Sequence, residues 1–272
     1  MDNIFSVIAG YLLCIFISIS APVMAQSSPS PFHGYKLVDM SHAFDEDTIY
    51  WPTEAPFEHE EAFKGRTEGG WYYSAYRVNT AEHGGTHLDA PIHFAEGQWA
   101  TDEIPLSSLL TPVVVIDVSA AALIDADYTL SLEALHKWES IHGRIPRGSS
   151  VLMNTGYAQF WPDKIRYMGT AASGAEAISN LHFPGFSIEA ARFLHLERGI
   201  VSVGLDTPSI DYGQSQDFAV HRYLYSHNII GFENVANVAS LPATGAFIVA
   251  LPMKIKGGSG GPLRMIGLIP GE

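Results

Sequence analysis

Apolar and polar residues alternate over Trp71–Asn79, and short apolar runs recur at Tyr35–Met40, Val113–Val118, Val151–Asn154, Ile200–Leu205 and Ala246–Leu251. Alternation suits a strand with one buried face, and short apolar runs between turn residues suit strands buried on both faces. Helical spacing is rarer. Ser131 is placed to cap a helix over Leu132–Ser140, and Ser187 one over Ile188–Glu197 with Glu189 in its first turn; a third short helix covers Ala219–Ser226. Glycine and proline punctuate the chain evenly, which predicts one compact α/β or α+β domain. Three further expectations follow from the same pattern. The acidic segment Asp39–Glu68 reads as a solvated loop, Tyr72 and Tyr73 as core, and Gly257–Gly261 as a flexible loop. That glycine run has no following Lys-Ser/Thr, so it is not a phosphate-binding loop.

The N-terminus changes this picture. Ile4–Ser20 is apolar, Ala21–Ala25 follows, and Gln26–Pro31 is polar. Val23 and Ala25 suit signal-peptidase cleavage before Gln26, although the first residues carry Asp2 and no Lys or Arg. The expectation is a signal peptide at 1–25, a polar linker at 26–34, a folded domain at 35–272 and a secreted product. The apolar run is close to bilayer-spanning length, so an uncleaved membrane anchor is the alternative. Cleavage would remove Cys14, the only cysteine, leaving neither a disulfide nor a thiolate ligand.

Charge excludes some functions. With 29 Asp and Glu against 15 Lys and Arg, the net charge of −14 argues against nucleic acid and anionic membrane surfaces as partners.

The chemistry concentrates in Ala81-Glu82-His83-Gly84-Gly85-Thr86-His87-Leu88-Asp89-Ala90-Pro91-Ile92-His93-Phe94. Four metal-ligand types sit there at spacings of four, two and four. Gly84, Gly85 and Pro91 make a continuous helix unfavourable, and Glu does not follow the first His as a zincin helix needs. A loop or strand end remains, in which His83, His87 and Asp89 can converge on one ion. Imidazole and carboxylate donors suit Zn, Mn or Fe. No GxSxG elbow exists, so a serine nucleophile is not expected.

This segment resembles the HxGTHxDxPxH signature of the metal-dependent cyclase-like hydrolases, a family that includes bacterial-type kynurenine formamidase and isatin hydrolase. The likeness extends to Tyr50-Trp51-Pro52, to Gly204–Asp211 (GxDTxSxD), to His221-Arg222 with Glu233-Asn234, and to Leu251–Gly257 with Gly261–Arg264. It covers roughly residues 35 to 270 in the family's order. The resemblance implies a single-domain β/β/α (swivelling) architecture around a flattened barrel-like sheet, dimeric or larger. It implies His83, His87 and Asp89 as ligands of a first ion and Asp89, His221 and Glu233 as ligands of a second. One or two Zn or Mn ions per chain would result. It further implies His93 as catalytic acid/base and Trp51 as a wall of the substrate pocket. Arg222 would either orient a substrate carboxylate or pair with the acidic segment.

The function so implied is metal-dependent hydrolysis of a small aromatic amide. Three readings compete. Arylformamidase action on N-formyl-L-kynurenine, a step of tryptophan catabolism, comes first. Glu233 favours it, because the isatin-hydrolase branch resembles a one-metal site with Gln there. Hydrolysis of another aryl or cyclic amide such as isatin comes second, favoured by secretion. A non-catalytic scaffold on the same fold comes third, and the retained ligand types and His93 count against it.

Overall fold

A computed structural model describes residues 32–271. The signal-peptide expectation at 1–25 and most of the linker lie outside the described residues. The strands are β1 (Tyr35–Asp39), β2 (Glu58–Arg66), β3 (Tyr72–Asn79), β4 (His87–Asp89), β5 (Leu110–Asp117), β6 (Thr129–Leu130), β7 (Ser150–Asn154), β8 (Gly185–Phe186), β9 (Ser202–Leu205), β10 (Ile230–Glu233), β11 (Ala246–Pro252) and β12 (Gly260–Pro270). The helices are α1 (Ser119–Ala122), α2 (Leu132–His142), α3 (Lys164–Met168), α4 (Ile188–Phe193) and α5 (Ala219–Tyr225).

The main sheet runs β1-β12-β11-β5-β7-β9-β10-β4, and β4 pairs again with β12. That second pairing closes seven strands into a flattened barrel with β1 attached outside the ring. Strands β5, β7, β9 and β10 are mutually parallel; β11 and β4 join their two edges antiparallel, and β12 pairs antiparallel with both β11 and β4. The β/β/α expectation therefore holds.

Period two along the strands divides the core. Val113 and Val115 point into the barrel with Leu152, Phe232, Ile248 and Met265. Val114 and Ile116 point outward, where Val151, Met153, Val203 and Leu205 meet Leu135, Trp138, Ala190, Leu194 and Leu224 of the helices. Both faces are buried, which is why these strands read as continuous apolar runs. Gly204 lies inside the barrel because a Cβ there would come within 2.8 Å of Leu152 and 2.9 Å of Phe232.

The helix starts follow their caps. Ser131 Oγ accepts from Ala134 N at 3.2 Å, and Ser187 Oγ accepts from Ala190 N at 3.1 Å. The second helix is shorter than its pattern suggests. It passes at Leu194 into a π turn that ends at Gly199, whose φ of +63° is left-handed. Arg198 on this turn donates to both oxygens of Glu139 on α2 (2.6 and 2.7 Å), and Glu139 also accepts from Ile145 N at 2.9 Å. The Arg198 guanidinium holds the Glu139 carboxyl below its usual value. Glu139→Ala should cost roughly 2–4 kcal/mol by urea denaturation, because it strands a largely buried guanidinium; a loss under about 1 kcal/mol would mean the pair is idle. This stabilisation is complete above the carboxyl's unfolded pKa of about 4.3 and disappears as pH falls through the lower folded value.

Three expectations change. Glu58–Arg66, inside the segment read as loop, is a strand paired with β3 in a two-stranded ribbon. Its five charged residues hid it, since neither of its faces is buried. Tyr72 and Tyr73 are 61% and 51% exposed on that ribbon and are not core. Gly257–Gly261 is no free loop: Lys256 and Gly257 form a turn closed by Gly258 N donating to the Ile255 carbonyl, Ser259 is tethered to Glu82, and Gly260 opens β12. No helix among the described residues is long and apolar enough to cross a membrane.

Candidate functional site

Strand β4 places His87 and Asp89 two residues apart, on one face. Across it, β10 sets Glu233 opposite His87, and β12 sets Gly260 opposite Asp89. Helix α5 brings in His221. The result is a buried cluster in which Asp89 Oδ1 lies 3.1 Å and Glu233 Oε2 3.5 Å from His87 Nε2. His221 Nε2 lies 3.3 Å from Asp89 Oδ2 and 3.2 Å from Glu233 Oε1.

The outer hydrogen bonds fix which atoms face inward. His87 Nδ1 donates to the Gly85 carbonyl at 2.9 Å, and His221 Nδ1 donates to Asp211 Oδ2 at 2.7 Å. Each neutral ring therefore turns an Nε2 lone pair toward the carboxylates. His87 Nε2 is buried with no hydrogen-bond donor facing it. Four acceptor groups converge where no protein donor sits between them, an arrangement that a cation or extra protons must relieve. Asp211 also accepts from Val220 N and His221 N, both at 3.1 Å, so it caps α5 and aims His221 together. Tyr225 Oη donates to Asp89 Oδ2 at 2.8 Å, and Ile210 N to Glu233 Oε1 at 2.9 Å.

Electrostatics in the protein alone reports the same conflict. Burial alone would lower His87, yet Asp89 and Glu233 raise it to about 9. His221 is likewise raised, against its burial, by Asp211, Asp89 and Glu233. Asp89 is held well below the usual range despite burial, and burial beside Asp89 raises Glu233. A divalent ion among these groups would relieve the same conflict, and the residues fit such an ion.

His83 is arranged differently. Its Nδ1 meets Asp89 Oδ1 at 2.7 Å and its Nε2 meets Ser259 Oγ at 2.8 Å, while Ser259 donates to Glu82 at 2.7 Å. His93 stacks on the His83 ring with centroids 3.8 Å apart. Ligand atoms of His83, Asp89 and His93 fall within one ion's reach, as do those of His87, Asp89 and Glu233, so the two groups share Asp89. Burial lowers His93 to about 4, with Asp89 opposing. Close packing demands glycines here: Gly85 adopts φ +55°, and a Cβ on Gly260 would lie 2.5 Å from the His83 ring.

A cavity of about 200 Å³ opens over this cluster. Trp51 lines it, together with Tyr50, Phe94 and Phe218, and Trp51 packs edge-on against Phe183. Glu54 stands in the wall, and among the described residues neither Lys nor Arg lines the cavity. Arg222 is not among the lining residues; it is exposed, its guanidinium 3.5 Å from the Asp217 carbonyl. All six expected site residues of the cluster (His83, His87, Asp89, His93, His221, Glu233) line one cavity. The sequence did not single out Tyr225, Asp211, Ser259 or Glu82. Of these only Asp211 had a signal, within GxDTxSxD.

Comparison with known proteins identifies the family. The family model described as "Putative cyclase" matches residues 38–212. Isatin hydrolase of Roseibium aggregatum is 34% identical over 197 residues, covering 70% of this chain and 72% of that protein. Kynurenine formamidase of Bacillus cereus is 27% identical over 233 residues, covering 84% and 95%. Isatin hydrolase A from Labrenzia aggregata, solved bound to benzyl benzoate, superposes with a TM-score of 0.79 at 35% identity, covering 88% of this chain and 95% of that one. This chain therefore belongs to the cyclase family and is a hydrolase of that family.

Proposed function

We propose that the chain hydrolyses the amide bond of a small uncharged aromatic lactam of the isatin type, using a divalent cation held by His87, Asp89, His221 and Glu233. The observation that carries this reading is the cavity itself. Its aromatic walls suit a flat ring, no Lys or Arg is present to receive a substrate carboxylate, and its floor is the acceptor cluster. N-formyl-L-kynurenine is larger and bears an α-carboxylate for which the wall offers no cationic partner. The 34% identity to an isatin hydrolase points the same way.

The mixed N and O donor set suits Zn or Mn. When bound, such an ion supplies a Lewis acid that lowers the pKa of water and polarises a carbonyl. The chain's own residues do the rest. Asp211 and Gly85 hold His221 and His87 in the tautomers that present Nε2. Tyr50, Trp51 and Phe218 exclude water and orient the ring of the lactam. His93 lies at the cavity edge and is neutral at working pH, so it accepts a proton from the attacking water. It returns that proton to the departing nitrogen as the C–N bond breaks. The water oxygen ends on the carbonyl carbon, giving an aryl amine and a carboxylate on one ring-opened product.

A second reading, arylformamidase, is favoured by two specific features. Glu54 is an acidic group in the wall that fits a substrate ammonium, and Glu233 supplies a second carboxylate for a second ion. The deciding experiment presents isatin and N-formyl-L-kynurenine separately to Zn- or Mn-loaded protein. Isatin should turn over with kcat/KM at least about tenfold higher, a gap of ~1.4 kcal/mol in transition-state binding. The reverse order would install the formamidase. Turnover of neither, by metal-replete protein, would remove both.

A further inference from the structure

A second hollow, of about 490 Å³, lies away from the catalytic cavity and shares no lining residue with it. Its chemistry is the opposite of the cavity's. In a chain with 29 acidic residues, no Asp or Glu among the described residues lines this hollow, whereas the cavity over His87 and three other surface hollows each carry at least one carboxylate. The polar side chains that do line it include the donors Arg147, Asn228 and Ser108 and the imidazoles of His195 and His227.

Their remaining hydrogen-bonding capacity faces no protein partner. Arg147 lies across Gly199, where a Cβ would come 3.0 Å from its Nη1; only glycine leaves room for the guanidinium there. Among the described residues that guanidinium makes no hydrogen bond or ion pair, unlike Arg198 nearby, which is committed to Glu139. His227 Nδ1 donates to the Tyr223 carbonyl at 2.7 Å, and His195 Nδ1 meets Tyr223 Oη at 2.9 Å. Both Nε2 atoms are left over, on rings whose centroids are 4.4 Å apart. Asn228 Oδ1 accepts from Trp99 N at 3.0 Å, which fixes its orientation and leaves its NH₂ to donate.

We propose that this hollow binds a small tetrahedral oxyanion, inorganic phosphate or the phosphate of a phosphomonoester. Arg147 provides the planar donor fork and Asn228 and Ser108 provide single donors around it, while the Nε2 lone pair of His227 accepts from a P–OH of the ion. A divalent cation does not suit the same hollow, because the Arg147 charge would oppose it and no carboxylate would balance it. The hollow also touches the catalytic loop. Trp99, held by Asn228, accepts a hydrogen bond from Ile92 N at 3.0 Å, and Ile92 precedes His93.

The test is a titration of zinc-loaded full-length protein with inorganic phosphate, followed by the ring C–H signals of His195 and His227. His195→Gln and His227→Gln assign those signals. Both should shift together and saturate with a dissociation constant on the order of 1 mM or tighter, and equal ionic strength of chloride should not reproduce the shift. Arg147→Ala removes only an exposed side chain, so the fold is retained. It should weaken binding about tenfold or more. A phosphomonoester that binds at least as well as phosphate, again through Arg147, would identify the esterified source; phosphate binding alone would identify the free ion. Phosphate that shifts neither histidine overturns the proposal, as does binding undiminished in Arg147→Ala. Phosphate that binds without shifting either histidine would be placed on the catalytic metal instead.

Discussion

Replacing His87 by alanine should yield a protein that folds but retains less than about a tenth of the wild-type divalent ion after dialysis, read by elemental analysis. His87 and His221 both turn Nε2 into the cluster with Asp89 and Glu233, so removing His87 leaves three donors, two of them crowded carboxylates. The remaining Asp89–Glu233 repulsion would then be relieved by a proton on Glu233, whose pKa is already raised. His87→Gln keeps the volume and should lose the ion as well, which separates ligation from packing. The same cluster predicts proton release. His87 is raised to about 9 without an ion, and His221 is also raised, so at pH 7 the apo cluster holds protons that ion binding must expel. Calorimetric titration with Zn in buffers of different ionisation enthalpy should show at least about one proton released per ion. Affinity should fall as the pH drops below 9. Full ion content in His87→Ala, or binding without proton release, would remove this cluster as the metal site.

How much of this was legible beforehand depended on whether a residue's environment is local. The parallel strands β5, β7 and β9 were readable because both faces are buried and the apolar run is unbroken. Strands β4 and β10 were not, since they are short and their polar residues are site residues: His87, Asp89 and Glu233 occupy positions that an apolar pattern would fill. Strand β2 escaped because its pairing with β3 leaves both faces in solvent. The ligand types were visible through the density of His and Asp in one segment and through family likeness. Their supports were less so. Tyr225 donates to Asp89 across 136 residues and Ser259 donates to Glu82 across 177, and no local spacing carries such a contact. Tyr72 and Tyr73 show the converse failure, for aromatic side chains on a hairpin look like core until the sheet they belong to is known to be two strands wide.

The second large effect concerns His93. His93→Ala should keep the ion content of the wild type and lose turnover by about 10² to 10⁴, read as kcat on the preferred amide alongside elemental analysis. Ion content should survive because the four-donor cluster of His87, Asp89, His221 and Glu233 is complete without it. Turnover should fall because His93 is the unpaired imidazole on the cavity edge, stacked on His83 and edge-on to Phe94. That stacking fixes the ring plane, so a proton accepted from water can be delivered to a nitrogen held against Trp51 and Phe218 without reorienting the base. The pH profile adds an independent check. Burial keeps His93 neutral down to about 4, whereas His87 and His221 compete for protons well above that. The acid limb of wild-type activity should therefore follow ion loss, moving to lower pH as free Zn is raised, and should not report His93. An acid limb indifferent to Zn concentration would assign it to a catalytic group. If His93→Ala also lost the ion, His93 would belong to the second ligand group with His83 and Asp89, and the proton transfer would have to be sought elsewhere in the cavity.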